Sequence, residues 1–180
     1  FTEVFPTSAR AEEMEYMRAY TYFRQSPKQE LDQVSTQKTI GFMQTFINTH
    51  PGSARIKEAN SIIDQCRAKL ELKEYKSAEL YYNLGHYRAA AIAFTSLMES
   101  FPDSDKSEDY KYQVIKSYYL FAQNSVDEKK AGRYEQVVTE CLDFIERFPE
   151  SKLLNEVSKF QSLSQNNIKA IQNEQVKTSN

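Results

Sequence analysis

The chain has 180 residues, and its 23 Lys and Arg nearly balance its 25 Asp and Glu, which leaves a net charge of −2. Nucleic-acid binding needs a concentrated basic face, so this mixed, slightly acidic chain is not expected to bind nucleic acid. With only 4 glycines and 5 prolines, the sequence offers few turns for an all-β fold. No segment approaches the roughly 18 consecutive apolar residues of a membrane-spanning helix.

Apolar residues spaced three and four apart predict a chain of helices. In chain order, these cover residues 9–24, 32–48, 54–83, 86–100, 107–123, 133–147 and 152–171. Residues 25–31 are predicted to form a loop. The segment 54–83 contains no helix breaker, so it is either one long helix or two helices with a slight kink. Residues 124–132 form a polar, charged connector that could extend the fifth helix, and residues 172–180 are expected to fray.

A proline-containing tetrapeptide closes the helical pattern at regular intervals. It reads Phe-Pro-Thr-Ser at 5–8, His-Pro-Gly-Ser at 50–53, Phe-Pro-Asp-Ser at 101–104 and Phe-Pro-Glu-Ser at 148–151. Proline excludes the residue before it from the α region, so it ends a helix, and it suits the first turn of the next helix. The serine is placed to cap that helix through its hydroxyl oxygen. Successive breaks of this kind are typical of a helical repeat protein.

The apolar stripe before each later break is also repeated. In the fourth predicted helix it consists of Tyr87, Ala90, Ala91, Phe94, Leu97, Met98 and Phe101. The sixth predicted helix carries the same stripe, and the second carries a weaker copy. Gly85 and Gly132 each stand two residues before the opening tyrosine, where a helix–helix turn needs a residue that tolerates positive φ.

The segment 71–104 fits the tetratricopeptide pattern. Ala78 takes the small position at which two antiparallel helices approach, and Tyr81 follows one turn later; both are expected in the core. We therefore predict an all-α fold, an α-solenoid of tetratricopeptide-like helix-turn-helix repeats with a C-terminal capping helix. The repeat domain is predicted over residues 1–171, with repeats ending near residues 51, 102 and 149.

The sequence shows no motif for catalysis, cofactor binding or metal binding. His50 and His86 are its only histidines, and neither pairs with a nucleophile and an orienting acid at a recognisable spacing. A glycine-rich phosphate loop and a Cys/His cluster are both missing, and Cys66 and Cys141 lie singly within helical patterns. We predict that the chain is not an enzyme and uses no cofactor or metal.

Three stretches of the chain resemble the BamD-like outer-membrane assembly lipoproteins. The first is Met-Glu-Tyr-Met-Arg-Ala at 14–19, followed by the insertion that ends at residue 32. The second, Lys-Glu-Tyr-Lys-Ser-Ala-Glu-Leu-Tyr-Tyr at 73–82, resembles the long inter-repeat helix of that family. The third is Lys-Ser-Tyr-Tyr at 116–119 with Ala-Gln-Asn-Ser at 122–125. The likeness covers roughly residues 5–171. The insertion, the long helix and the Asn-Ser connector follow one another in the order typical of that family, and this order makes the likeness more specific than one matching repeat would.

That resemblance implies a scaffold role without chemistry. Members are anchored by an N-terminal lipid to the periplasmic face of the outer membrane, and they have no other link to the membrane. They bind the periplasmic POTRA modules of the barrel-forming subunit and engage unfolded outer-membrane barrels. Members begin with a lipobox cysteine and about two further repeats, and residues 5–6 look like the end of a repeat. We therefore expect this chain to be the C-terminal, partner-docking portion.

The first helix of each tetratricopeptide unit lines the concave face of such an array. The repeat register places Tyr75, Glu79, Tyr82, Asn83, Tyr112, Lys116, Tyr119 and Leu120 there. Aromatic rings beside charges make good anchors because they bury a large area at low side-chain entropy cost. We predict that these residues bind a protein partner. Tyr82 and Tyr119 are favoured, since the first member of each Tyr-Tyr pair is expected to face inward, whereas Tyr75 and Tyr112 could equally pack against neighbouring helices.

A generic tetratricopeptide scaffold in the cell envelope or the cytoplasm is the alternative function. The two functions differ in what precedes residue 1. A signal sequence ending in a lipobox cysteine would favour the membrane-assembly function, whereas a cytoplasmic start would leave only the scaffold.

Overall fold

The computed structural model describes residues 9–178, which form seven α-helices and no strand. The helices are α1 (Ala9–Gln25), α2 (Val34–Thr49), α3 (Ile56–Asn83), α4 (Tyr87–Ser100), α5 (Ser107–Gln123), α6 (Asp127–Arg147) and α7 (Leu154–Thr178). This arrangement confirms the predicted all-α, tetratricopeptide-like fold class. The first proline tetrapeptide, at residues 5–8, lies outside the described residues.

Helix boundaries differ from the prediction by more than two residues at two places, and one open alternative is decided. Helix α3 is one continuous helix, which decides between the two predicted forms of this segment. Residues 127–132, predicted as a connector, are instead the first turns of α6, where Asp127 and Glu128 favour the positive end of the helix dipole. Helix α7 continues to Thr178, past the predicted end at residue 171. The single repeat domain predicted over residues 1–171 stays a prediction.

The chain divides into two compact units, with the boundary between Lys73 and Glu74. The first unit holds α1, α2 and the beginning of α3, which pack around one core cluster. Its buried members are Tyr16, Ala19, Met43, Phe46, Ala59, Ile62, Ile63 and Cys66. The weaker copy of the apolar stripe on α2 is buried as predicted, including the polar Thr36 and Thr39.

The second unit holds the end of α3 together with α4, α5, α6 and α7. Two clusters form its core: Ala78, Ala90, Phe94, Leu97, Tyr110 and Val114 in one, and Ile115, Val137, Cys141, Phe144 and Val157 in the other. Helix α5 contributes to both clusters and packs on α4, α6 and α7. Ala78 is fully buried, as predicted, and Ser117 of α5 and Ser164 of α7 are also fully buried small residues.

The proline tetrapeptides at 50–53, 101–104 and 148–151 form the same turn. The residue before each proline has nearly the same backbone angles: φ −126° and ψ 62° at His50, φ −130° and ψ 65° at Phe101, and φ −127° and ψ 59° at Phe148. The serine N–H donates to the carbonyl of that residue at 3.0, 3.1 and 3.1 Å. Proline therefore occupies the second position of a β-turn, where its fixed φ is favourable. The prediction that it begins the next helix is wrong.

The serine of each turn caps the segment that opens the next helix. The hydroxyl oxygens of Ser53, Ser104 and Ser151 accept from the backbone N–H two residues later, at 3.1, 3.1 and 2.9 Å. These bonds satisfy donors in the turns that precede α3, α5 and α7. The serine is not the N-cap residue that the sequence predicted, since Lys106 takes that position at α5 and no side chain caps it. Two of these hydroxyls also donate to an acid of an earlier helix, Ser53 to Glu12 at 2.5 Å and Ser151 to Glu108 at 2.6 Å.

A buried ammonium group joins α5 to α6. Lys111 is 7% exposed, and its Nζ pairs with Glu140 at 2.5 Å and also with Asp143. Removing one partner of a buried ion pair leaves an uncompensated charge and typically costs about 3–5 kcal/mol. Removing Lys111 or its partners would therefore destabilise the packing of α5 on α6.

The two glycines predicted for turns have different conformations. Gly85 lies just after the end of α3 and has φ +76°. Its N–H donates to the Tyr82 carbonyl at 3.0 Å, and the N–H of His86 donates to the Tyr81 carbonyl at 2.9 Å. This is a Schellman motif, as the predicted turn requires. Gly132 lies inside α6, and Gly85 is the only residue with positive φ within 9–178. The predicted turn at Gly132 is therefore wrong.

We expect Gly85→Ala and Gly132→Ala to change stability in opposite directions. A Cβ would meet nothing within 4 Å at either position, so the backbone conformation alone decides whether alanine raises or lowers the free energy of unfolding. Alanine in the left-handed region costs about 1–2 kcal/mol, whereas alanine inside a helix gains about 0.5–1 kcal/mol over glycine. The free energy of unfolding, measured in urea, checks both values. A loss of stability in Gly132→Ala would contradict the helical position of this residue.

Truncation of Phe144 tests the core of the second unit. Phe144 on α6 is 0% exposed, so Phe144→Ala should lower the free energy of unfolding by about 3–5 kcal/mol. Leu142 lies on the same helix but is 53% exposed, and Leu142→Ala should change stability by less than about 0.5 kcal/mol. Urea unfolding of both variants provides the comparison, and similar losses would show that this face of α6 is assigned wrongly.

Candidate functional site

The predicted partner-binding residues all lie on α3 and α5 in the second unit. Tyr75, Glu79 and Tyr82 are spaced four and three residues apart on α3, and Tyr112, Lys116 and Tyr119 repeat that spacing on α5. This spacing keeps each set on one side of its helix. The structure brings Tyr82, Tyr112, Lys116 and Tyr119 together with Phe160 of α7, and we call these residues the aromatic surface.

Lys116 is the centre of the aromatic surface. Its Nζ lies 5.3 Å from the ring centroid of Tyr82 and 5.6 Å from that of Tyr112. The ammonium group therefore links α3 to α5 through two cation–π contacts, each worth about 0.5–1 kcal/mol at an exposed site. Lys116 is half-buried, and no carboxylate in residues 9–178 lies within ion-pair distance of it.

Phe160 extends the surface onto α7. Its ring centroid lies 6.1 Å from that of Tyr112 and 5.0 Å from that of Tyr119, and the Tyr119 ring also lies 5.9 Å from Tyr134 of α6. Sequence reasoning missed Phe160. Its one signal is that it is the sole aromatic residue of the last predicted helix, over residues 152–171.

Tyr75 belongs more to the core than to the surface. Its ring lies 5.9 Å from Phe94 and 5.8 Å from Tyr110, both of which are buried. Its hydroxyl donates to Glu79 Oε1 at 3.2 Å, and Glu79 also pairs with Lys76 at 2.7 Å. The carboxylate of Glu79 is therefore occupied by neighbours on α3.

The remaining predicted residues lie at the ends of the two helices. Asn83 is exposed at the last residue of α3, and Leu120 is half-buried near the end of α5.

The expected orientation of the first Tyr-Tyr pair is reversed. Tyr81 is 42% exposed, whereas Tyr82 packs against the core, and its ring centroid lies 5.6 Å from that of Tyr87. In the second pair, Tyr118 and Tyr119 both pack against core clusters.

Burial raises the pKa of two tyrosine hydroxyls of this surface, those of Tyr82 and Tyr112. Burial is the main cause of the raised pKa of Tyr112, to which the negative charge of Glu156 adds. These phenols are neutral throughout the physiological pH range. The surface thus presents rings with hydroxyl donors and one fixed positive charge to a ligand.

Other chemistry has little support in the described residues. Within residues 9–178 no group of His, Cys, Asp and Glu side chains is arranged to hold a metal ion. None of the helices over that range combines the length and the apolarity needed to cross a membrane. The two cysteines are buried and unpaired, and burial raises the pKa of Cys141 to about 12, so its thiol stays protonated.

A family model described as an outer membrane lipoprotein, YfiO, matches residues 1–130. The chain belongs to this BamD-like family. Its members are non-catalytic lipoproteins of the outer-membrane assembly machinery, so the chain is associated with the outer membrane and acts through protein–protein interaction. The match includes every predicted partner-binding residue and ends before Phe160 and α7. A search of curated proteins gives no match.

A double-mutant cycle tests the contact that joins α5 to α7. Tyr119→Leu and Phe160→Leu each remove one ring of the 5.0 Å pair. Their combined loss of stability should fall short of the sum of the single losses by about 0.5–1.5 kcal/mol, which is the usual interaction energy of an aromatic pair. Urea unfolding measures the three variants. Phe94, in the other core cluster, supplies the control: Phe94→Leu with Phe160→Leu should be additive.

Proposed function

We propose that this BamD-like chain is a non-catalytic scaffold that docks the periplasmic POTRA modules of the barrel-forming subunit. It helps to deliver unfolded outer-membrane barrels to that subunit. The full-length protein works at the periplasmic face of the outer membrane, to which an N-terminal lipid holds it. Family membership supports this role over a generic tetratricopeptide scaffold.

The observation that carries the proposal is the position of Lys116 between two tyrosine rings. A half-buried cation without a carboxylate partner in residues 9–178 is available to a negatively charged group of another protein. The rings around it hold its side chain in place, so little conformational freedom is lost on binding. Aromatic area next to a fixed charge is the composition of interface hot spots.

The other predicted residues enlarge the proposed docking surface. Asn83 is the exposed last residue of α3 and directly follows Tyr82, and Leu120 directly follows Tyr119 on α5. The Tyr75 hydroxyl donates to Glu79 within α3, so we assign these two residues a supporting role in which each holds the side chain of the other in place beside the docking surface. An enzymatic role has no comparable support, since His86 is exposed in the turn before α4 and His50 binds Glu15 at 3.0 Å in the other unit.

Charge reversal at Lys116 tests the proposed surface. We expect full-length Lys116→Glu to recover roughly ten-fold less barrel-forming subunit than wild type, a loss of about 1.4 kcal/mol in binding. The measurement is affinity capture from detergent-solubilised envelopes under conditions that preserve the complex, followed by quantitative mass spectrometry. The midpoint of thermal unfolding should fall by only about 2–8 °C, because the two cation–π contacts that are lost are worth about 0.5–1 kcal/mol each, so the variant stays folded during capture.

Lys152→Glu is the matched control, since Lys152 is an exposed lysine in the turn before α7. It should recover as much barrel-forming subunit as wild type does. Failure of the wild-type protein to recover the subunit would reject the proposed function. Equal recovery by wild type and Lys116→Glu would reject the aromatic surface as the docking site and leave the function standing.

A further inference from the structure

A groove lies on the second unit, between the end of α3, the beginning of α4 and the end of α5. Its volume is about 590 Å³, within the range of ligand-binding clefts. We call it the α4 groove. Its lining includes Tyr81, His86, Tyr87, Arg88, Ile92 and Phe121.

Large apolar side chains of the α4 groove are open to solvent. Tyr81 is 42% exposed and Ile92 is 50% exposed. Phe121 of α5 adds a third large side chain to the same groove. Leu84, which follows Tyr81 by three residues, is 61% exposed. A contiguous apolar surface of this kind on a folded protein typically marks an interaction site.

The repeat itself does not require the side chains that α4 presents to the groove. Arg88 and Ile92 lie one and five residues after Tyr87, the first position of the apolar stripe. The copy of the stripe on α6 has Glu135 and Thr139 at the same positions, and both are exposed. Core packing therefore explains neither the positive charge of Arg88 nor the apolar side chain of Ile92.

Two guanidinium groups border the groove. Arg88 lines it, and the Arg133 guanidinium lies 3.9 Å from the ring centroid of Phe121, where it donates to the Ser125 hydroxyl. Across residues 9–178, no carboxylate lies within ion-pair distance of Arg88 or Arg133. Both charges are therefore available to a ligand in the groove.

The acid whose influence overlaps with that of Arg88 is Glu140. Burial, and after it the charge of Glu140, raises the pKa of the Tyr118 hydroxyl, whereas Arg88 lowers it. The Glu140 carboxylate pairs with the buried Lys111 Nζ at 2.5 Å. Its charge is therefore compensated by Lys111 and leaves that of Arg88 unpaired.

The helix ends around the groove do not supply negative charge that would offset these arginines. The last carbonyls of α3 are satisfied by the Schellman motif at Gly85, and the Phe121 carbonyl near the end of α5 accepts from the Ser125 hydroxyl at 2.5 Å. At the start of α6, Asp127 pairs with Lys130 at 2.8 Å. Helix α4 begins without a side-chain cap and without an acid in its first turn, so its dipole is positive on the groove side.

We propose that the α4 groove binds a segment of a partner protein that carries large apolar side chains flanked by Asp or Glu. The apolar side chains would cover Tyr81, Ile92 and Phe121, and the carboxylates would pair with Arg88 and Arg133. Charge complementarity identifies this occupant, because it governs partner choice and association rate. The concave shape suits a protein segment rather than the flat surface of a bilayer.

This interaction is separate from the proposed docking of the barrel-forming subunit. The α4 groove shares no residue with the aromatic surface, although Tyr87 of the groove contacts Tyr82 of that surface at 5.6 Å between ring centroids. The inference therefore goes beyond the proposed function, and its test needs no barrel-forming subunit.

Direct binding of defined peptides tests the proposal. The probe is a fluorescein-labelled, end-blocked octapeptide of alternating leucine and glutamate. One comparison peptide has arginine in place of glutamate, and another has serine in place of leucine. Fluorescence anisotropy with the full chain should show binding of the leucine–glutamate peptide and at least about ten-fold weaker binding of the other two. Rising salt should weaken the binding, because exposed charges are screened.

Arg88→Glu and Ile92→Thr locate the binding, since each introduces the residue type that α6 has at the same position. Arg88→Glu should weaken the leucine–glutamate peptide about ten-fold, and Ile92→Thr should weaken it several-fold. The matched controls are Arg67→Glu, at an exposed arginine in the first unit, and Leu142→Thr, at an exposed leucine of α6; both should bind as wild type does. Equal affinity of wild type and the groove variants would overturn the proposal.

Lys116→Glu distinguishes the groove from the neighbouring aromatic surface. Peptide binding that is lost in Arg88→Glu and kept in Lys116→Glu supports the groove, whether or not the full-length protein recovers the barrel-forming subunit. The opposite pattern would place the peptide on the aromatic surface and overturn the proposal.

Three further results would also overturn it. Equal binding of the leucine–glutamate and leucine–arginine peptides would show that the groove does not select negative charge. If the wild type binds no peptide, a dimer in sedimentation equilibrium that dissociates in Ile92→Thr would assign the groove to a second copy of this chain. In the same case, co-sedimentation with phosphatidylglycerol vesicles that is lost in Ile92→Thr would assign it to a membrane surface.

Discussion

The steric constraint that proline places on the residue before it controls the architecture. His50, Phe101 and Phe148 cannot keep helical backbone angles, so α2, α4 and α6 end there with nearly identical geometry. The same turn then presents a serine whose hydroxyl caps the opening of the following helix. Each break thus sets the end of one helix and the start of the next within a few residues. Every later contact, including the aromatic surface, depends on that spacing.

Between these breaks, packing distinguishes the repeats from one another. In the second unit, the small residues Ala78, Ser117 and Ser164 are fully buried and leave room for neighbouring helices to lie close together. Lys111 adds a buried ion pair between α5 and α6 alone, and the Schellman motif at Gly85 gives the α3–α4 turn its own form. The last pair differs most, because α6 gains two turns before its apolar stripe.

The positions of the helices could be predicted from the sequence, because apolar periodicity and proline are local signals. Residues 127–132 of the connector predicted over residues 124–132 are helical instead, for a non-local reason. Its polar residues and Gly132 read as a turn, whereas Arg133 contacts Phe121 and Ser125 of the preceding segment and holds these residues in α6. The pair Tyr81 and Tyr82 shows the same limit. Both lie one turn after Ala78, and only the rotation of α3 against α4 and α5 decides which ring is buried.

The sequence by itself determined the all-α class, the positions of the proline breaks and the family to which the chain belongs. It also placed Tyr112, Lys116 and Tyr119 of α5 at positions equivalent to Tyr75, Glu79 and Tyr82 of α3, because helical spacing can be counted along a chain. Only the tertiary structure decided that Lys116 lies between the rings of Tyr82 and Tyr112, and that Phe160 joins them from α7. The physical reason is that contacts between helices depend on their rotation and separation, and these are set by how all the side chains of the core fill space together.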